Sequence, residues 1–337
     1  MAMTRAALLL TVGDPYLLEF WFETYNKVWS KEVDKLYVSL DKRDGLMGEA
    51  VAYSKRLCER NGATIVETEV SDISNGIKVL FDACKEELFL LVQDDAPIFR
   101  KHSVEQQLER IESGEVDAIG TLIKNYGPEK FNEQLIKKFK HDDWKYHPYR
   151  GEGYAFWQNF FFGKIKDIRA TDGNLQVETW PRNKYVPFLD ITLEQDCSID
   201  IFVSMTLQMR AAGVRFAYVP QYTPSREDFV DYMQRKNIFD GSCPWMHIAH
   251  MSSIYMAILN NGWEMLTSYS DGDQKEYERR MAWWQMLIKR YPQVREELPE
   301  FSGRFENVLG DIRRNLNLNP DNINRREAIY KEVIGYE

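Results

Sequence analysis

The chain is predicted to be an α/β protein: a mostly parallel sheet flanked by helices, followed by an all-helical C-terminal extension. Three observations predict this. In the first 100 residues short apolar blocks alternate with segments of helical periodicity, the order that produces parallel pairing through right-handed crossovers. The blocks are continuous apolar runs rather than alternating ones, which marks strands buried on both faces. From about Pro244 onward the strand signal stops while helical spacing recurs.

The elements follow in order. "AALLLTV" (6–12) is a buried strand. Asp14 then serves as N-cap and Pro15 as first helical residue. The helix runs to about Trp29, with Leu18, Trp21, Phe22, Tyr25 and Trp29 at helical spacing. "DKLYVSLD" is a second strand, ending at Asp41. A helix near Glu49 to Asn61 leads to a third strand, "ATIVETE". Residues 72–85 form a helix with Ile77, Leu80, Phe81 and Cys84 on one face, and "LFLLVQDD" (88–95) is the fourth strand. A helix from Val104 to Ser113 precedes the strand "VDAIGTLI". Residues 124–153 are polar, basic and aromatic, as a functional loop or mobile helix would be. The strand-like "YAFWQNFFFGK" comes next. "DCSIDIFVSMTLQMRAAG" is a helix with Phe202, Met205, Met209 and Ala212 on one stripe and Gly213 as its C-cap, and "VRFAYVP" is the strand after it. Helices are expected at 244–260, 273–290 and 303–315, the second with Tyr277, Met281, Trp284 and Ile288 on one face. Residues 1–240 are thus expected to form a sheet domain, and 241–337 a helical extension packed on it.

Bulk properties narrow the function. With a net charge of −9 over 337 residues there is no global basic field to gather nucleic acid. Lys137, Lys138, Lys140 and His141 nevertheless make residues 124–150 locally basic, which permits a phosphate-bearing or nucleic-acid acceptor; a solvated basic loop is the plainer reading. The four cysteines include no C-x-x-C pair, and their low density suits a reducing cytosol. The N-terminal apolar run is short for a signal peptide and far too short for a membrane span. A cytoplasmic protein is therefore expected.

Carboxylates collect where the strands end. Asp14 follows the first strand, Asp41 ends the second, and Asp94 and Asp95 end the fourth. Parallel α/β sheets bind ligands beyond this edge. Oxygen ligands of this kind suit a hard cation, Mg²⁺ or Mn²⁺, which keeps waters and bridges to substrate phosphates. The plain alternative is a solvated Asp-Asp turn before Pro97. Neither G-x-G-x-x-G nor a P-loop occurs, so a cradle of backbone amides is not expected. Further along, Asp196 and Asp200 lie four apart at the start of a helix: first-turn acids, or one of them a general base facing the cleft. His247 and His250, three apart, are ordinary surface or core groups, or ligands acceptable to Mn²⁺. A G-x-S-x-G elbow is absent, and the acids around Cys197 make that thiol inert.

The order of these features resembles the GT-A fold of nucleotide-sugar glycosyltransferases, a Rossmann-type mostly parallel sheet. "LLVQDDAPIF" looks like the family's D-x-D region, "DCSIDIFVSMTLQMRAAGVRFAYVP" like its acidic helix, and His250 or His247 like its downstream metal-binding His. The resemblance covers about residues 5–255. It implies a divalent cation, Mn²⁺ or Mg²⁺, and a nucleotide-sugar donor, with a UDP-sugar favoured. The acceptor would be a glycan or another hydroxyl-bearing molecule, modified nucleic acid included. It places Asp95 on the metal, Asp94 on ribose or donor sugar, and Thr11, Gly13 and Asp41 in the nucleotide pocket. Asp200 or Asp196 would be the base. Trp157 would stack on a sugar near the cleft. Gln93-Asp94-Asp95 stands where the family carries Asp-x-Asp, and the acidic pair is split, so the choice of base, and of inverting or retaining chemistry, stays open. The same features admit a nucleotidyltransferase of similar fold, although "TVGDPYLLEF" lacks the Gly-rich basic loop usual there. A non-catalytic interaction protein that retains the fold is a further reading.

Overall fold

The computed structural model describes residues 3–69, 73–99, 101–122, 160–169, 185–186, 191–192, 204–205, 208–209, 212–220 and 284–306. The expected alternation is present. Strand β1 (Arg5–Leu10) leads to α1 (Pro15–Thr24), which continues as one π-helical turn over Tyr25–Trp29. Then follow β2 (Lys35–Asp41), α2 (Gly45–Arg60), β3 (Thr64–Thr68), α3 (Ile73–Ala83), β4 (Leu88–Gln93), α4 (Lys101–Glu112) and β5 (Ala118–Leu122). After these come β6 (Phe160–Lys164), α5 (Ile165–Arg169), β7 (Tyr185–Val186), β8 (Ile191–Thr192) and β9 (Phe216–Pro220).

Seven strands form one sheet in the order β3-β2-β1-β4-β6-β5-β9, while β7 and β8 pair separately. Neighbours are parallel except at β6, which runs antiparallel to both β4 and β5. With helices on both faces this is the GT-A-like α/β architecture expected above. The reversal at β6 is not written in its aromatic run, because an apolar run carries no signature of strand direction.

Side-chain alternation divides the core. From β1, Ala7 and Leu9 join one cluster and Ala6, Leu8 and Leu10 the other; from β4, Leu90 and Val92 oppose Phe89 and Leu91. The first cluster holds α1, α2 and α4, and the second holds α3, α5, Met205 and Met209. Met205 and Met209 are buried as their stripe predicts, whereas Ala212 is exposed. Gly213 takes the left-handed conformation, φ 88°, that a helix-ending glycine permits.

The C-terminal residues 284–290, Pro292–Glu297 and 299–306 are helical. Trp284, Leu287, Val294, Phe301 and Phe305 enter the same cluster as α1. Tyr16 of α1 donates to Ser302 Oγ at 3.0 Å, and the Arg290 guanidinium grips Glu23 at 2.6 and 2.8 Å. Burial raises the Glu23 carboxyl, but hydrogen bonds from Arg290, Lys27 and Tyr291 outweigh it and hold it near 2.

Strand order also locates the crevice. The chain moves from β1 outward to β2 and β3, then returns past β1 to β4. Such a reversal opens a crevice beyond the carboxyl ends of the two central strands, here β1 and β4. In register, Leu10 faces both Ser39 and Gln93, so Thr11, Asp41 and Asp94 emerge at one edge.

Candidate active site

Thr11 and Asp94 leave neighbouring parallel strands side by side. The Asp94 N–H donates to Leu10 O at 3.2 Å, extending the ladder one residue past β4. The Thr11 hydroxyl then spans the crevice, donating to Asp94 Oδ2 at 2.5 Å and accepting from the Gly13 N–H at 2.9 Å. Gly13 can make that bond because it sits at φ +82°, where L side chains are strained. A Cβ there would also lie 3.2 Å from Val51 Cγ2 on α2.

Asp14 follows at once and caps α1. Its Oδ1 accepts from the Tyr16 and Leu17 N–H groups at 2.9 and 3.0 Å, while its Oδ2 is buried with no hydrogen-bond partner among the described residues. Burial pushes its carboxyl up to about 7, against the two backbone donors. A carboxyl raised on folding adds stability that is complete below its unfolded value of about 4 and is lost as pH rises through its folded value. Asn caps helices as well as Asp. Asp14→Asn is therefore expected to match the wild type near pH 4 and exceed it at pH 8 by about 4 kcal/mol, read as urea midpoints at the two pH values.

Asp94 and Asp95 form the turn after β4, which Ala96 closes by donating to Gln93 O at 3.1 Å. Each is only 5% exposed, so a solvated Asp-Asp turn does not describe them. The Asp94 carboxyl is driven up, by burial first and then by the charge of Asp95; the Thr11 hydrogen bond opposes this and Asp14 adds to it. Among the described residues its side-chain hydrogen-bond partner is a neutral hydroxyl. Asp41 differs. It ends β2 opposite Thr68, accepts from Thr68 Oγ1 at 2.5 Å, and pairs with Arg43 at 3.3 Å.

Of the residues predicted from sequence, the structure brings Thr11, Gly13, Asp94 and Asp95 to the β1–β4 crevice, with Asp41 one strand away. Asp196, Asp200, His247, His250 and Trp157 lie outside the described residues. Thr68 and Arg43 were not foreseen. Thr68 is an ordinary strand residue until register places it against Asp41, and Arg43 is one basic residue in a charged loop. Among the described residues, no group of three or more His, Cys, Asp or Glu side chains is arranged to hold a metal ion. What they present is two adjacent buried carboxylates. That donor set fits a hard cation which takes one or two carboxylates and completes its shell with water and phosphate. No described helix is long and apolar enough to cross a membrane.

No protein-family model matches the chain, and no curated protein matches its sequence. Solved structures do. Glucosyl-3-phosphoglycerate synthase from Mycobacterium tuberculosis, in complex with Mn²⁺, uridine diphosphate and phosphoglyceric acid, is 11% identical, with a TM-score of 0.38, over 65% of this chain and 68% of that one. CMP:2-keto-3-deoxy-manno-octonic acid synthetase, in complex with CTP, is 12% identical, with a TM-score of 0.39, over 66% of this chain and 92% of that one.

Proposed function

We propose that the protein is a divalent-cation-dependent glycosyltransferase that moves a sugar from a nucleoside-diphosphate donor, a UDP-sugar by preference, to an acceptor hydroxyl. The observation that carries this reading is the Asp94–Asp95 pair, buried at the topological switch point, where the Thr11 hydroxyl meets Asp94 and no basic side chain among the described residues does. Burial, and then the charge of Asp95, disfavour the ionised form of Asp94. A cation held by Asp95 would supply positive charge beside Asp94 that offsets both effects. Mn²⁺ or Mg²⁺, when bound, supplies the positive charge that stabilises the departing nucleoside diphosphate.

The chain's own residues do the rest. Asp95, with His250 or His247, would hold the cation, and Asp94 would contact the donor sugar or ribose. Thr11 fixes the Asp94 carboxylate, and its own hydroxyl is oriented by the Gly13 N–H, so the crevice wall is set before substrate arrives. Asp200 or Asp196 would take the proton from the acceptor hydroxyl, and Trp157 would stack on a sugar ring.

The reading is tested by a thermal-shift panel of UDP-, GDP- and CMP-sugars with Mn²⁺. A donor at a hundred times its dissociation constant stabilises the fold by about 2.7 kcal/mol. One class of donor is expected to raise the melting temperature only when Mn²⁺ is present. A flat response to all of them would refute the assignment. Release of pyrophosphate in place of nucleoside diphosphate during turnover would convert it to nucleotidyl transfer.

A further inference from the structure

Arg43 lies in the short link between β2 and α2, and the link is held firmly. The Lys42 N–H donates to Thr68 O at 2.9 Å, so the chain stays paired with the end of β3. A Cβ at Gly48 would lie 2.6 Å from the Arg43 carbonyl oxygen, which shows how tightly the first turn of α2 sits on this residue. The guanidinium is thus presented from a prepared backbone. Its Nη2 approaches Asp41 Oδ2 at 3.3 Å.

Its Nε is different. It is buried and has no acceptor among the described residues. Arg5, Arg110, Arg215 and Arg290 each set Nε against a carboxylate, at 2.8, 2.9, 2.8 and 2.8 Å. A buried charged donor left without an acceptor is costly, and arginine carries donors only. The position has a clear relation to the crevice. Strands β4, β1 and β2 are consecutive in the sheet, so the end of β2 lies two strand spacings, about 10 Å, from Asp94 and Asp95. A nucleoside diphosphate held at β4 and laid across β1 would bring its base to the β2 end.

We infer that Arg43 is a specificity-determining residue that reads the nucleobase through a keto oxygen. The inference rests on the nucleotide-donor reading above. A guanidinium donates to O4 of uracil or O6 of guanine. The amino group at the same place in cytosine or adenine is itself a donor and meets it unfavourably. Asp41 holds the guanidinium in place and balances its charge, so the pair contributes selectivity by hydrogen bonding more than by net attraction to phosphate.

The test titrates the full chain, with Mn²⁺, against UDP and CDP, against GDP and ADP, and against inorganic pyrophosphate. In the wild type, UDP should bind about tenfold or more tightly than CDP, and GDP likewise against ADP. Arg43→Met should bring both ratios near one while pyrophosphate binding holds. Arg43→Lys, which keeps the charge but loses the planar fork, should fall between. A wild-type ratio near one overturns the inference without any variant, whatever the stability of Arg43→Met. So do unchanged ratios in both variants, or an equal loss for every nucleotide and for pyrophosphate. If neither the nucleotides nor pyrophosphate bind the wild type, the donor reading itself fails. If they bind and the ratios ignore Arg43, only the base assignment fails.

Discussion

Asp95→Asn is expected to lower sugar transfer at least a hundredfold and to abolish the Mn²⁺ dependence of nucleotide binding while leaving the fold intact. The magnitude is that of removing one preorganised electrostatic contact from a water-poor site, roughly 10²–10³ in rate. The variant keeps the shape of a side chain that is 5% exposed, so packing is preserved and only charge is lost. Asp94→Asn is the companion with an opposite readout. The Asp94 carboxyl is raised by burial and by its neighbour's charge. A group raised on folding contributes stability below its unfolded value and loses it as pH rises through the folded one. Without cation, Asp94→Asn should therefore be more stable than the wild type in alkaline buffer and equal to it in acid, while its activity falls. Cation-dependent binding and turnover surviving in Asp95→Asn would remove the site from the β4 end.

Trp284→Ala is expected to carry the largest cost in stability, about 3–5 kcal/mol. Trp284 is fully buried, packs edge-on against Phe305 at 4.7 Å between centroids, and belongs to the same core cluster as Trp21 and Phe20 of α1. Its indole N–H has no acceptor among the described residues, so the loss is packing and cavity formation, not a hydrogen bond. Because 284–306 and the sheet share that cluster, urea unfolding should show one transition moved to lower denaturant with its slope kept. A second transition, with the sheet's own midpoint unmoved, would show that the C-terminal helices form an independent core.

The same contacts explain how far the fold could be read in advance. Strands β1 and β4 are legible because each is a continuous apolar run, and Asp14-Pro15 announces α1 by the chemistry of its first turn. Boundaries slip where that chemistry is weak. Helix α2 begins at Gly45, four residues before its apolar spacing becomes visible, and its N-cap Asp44 makes no side-chain cap bond. Helix α1 gives way to a π turn at Tyr25, where Trp21, Tyr25 and Trp29 pack against one another; their spacing marks the face and not the winding.

The site divides in the same way. The sequence by itself determined which residues carry charge and that they fall at strand ends, since an apolar strand must stop where a carboxylate begins. It thereby named Asp41, Asp94 and Asp95 as candidates, and the family resemblance added Thr11 and Gly13. Only the tertiary structure decided that Thr11 bridges to Asp94, that Thr68 and Arg43 compensate Asp41, and that residues 284–306 complete the core beneath α1. The physical reason is register. Strand neighbours far apart in the chain are chosen by burial over the whole sheet, and a carboxylate's partners and its desolvation follow from who those neighbours are.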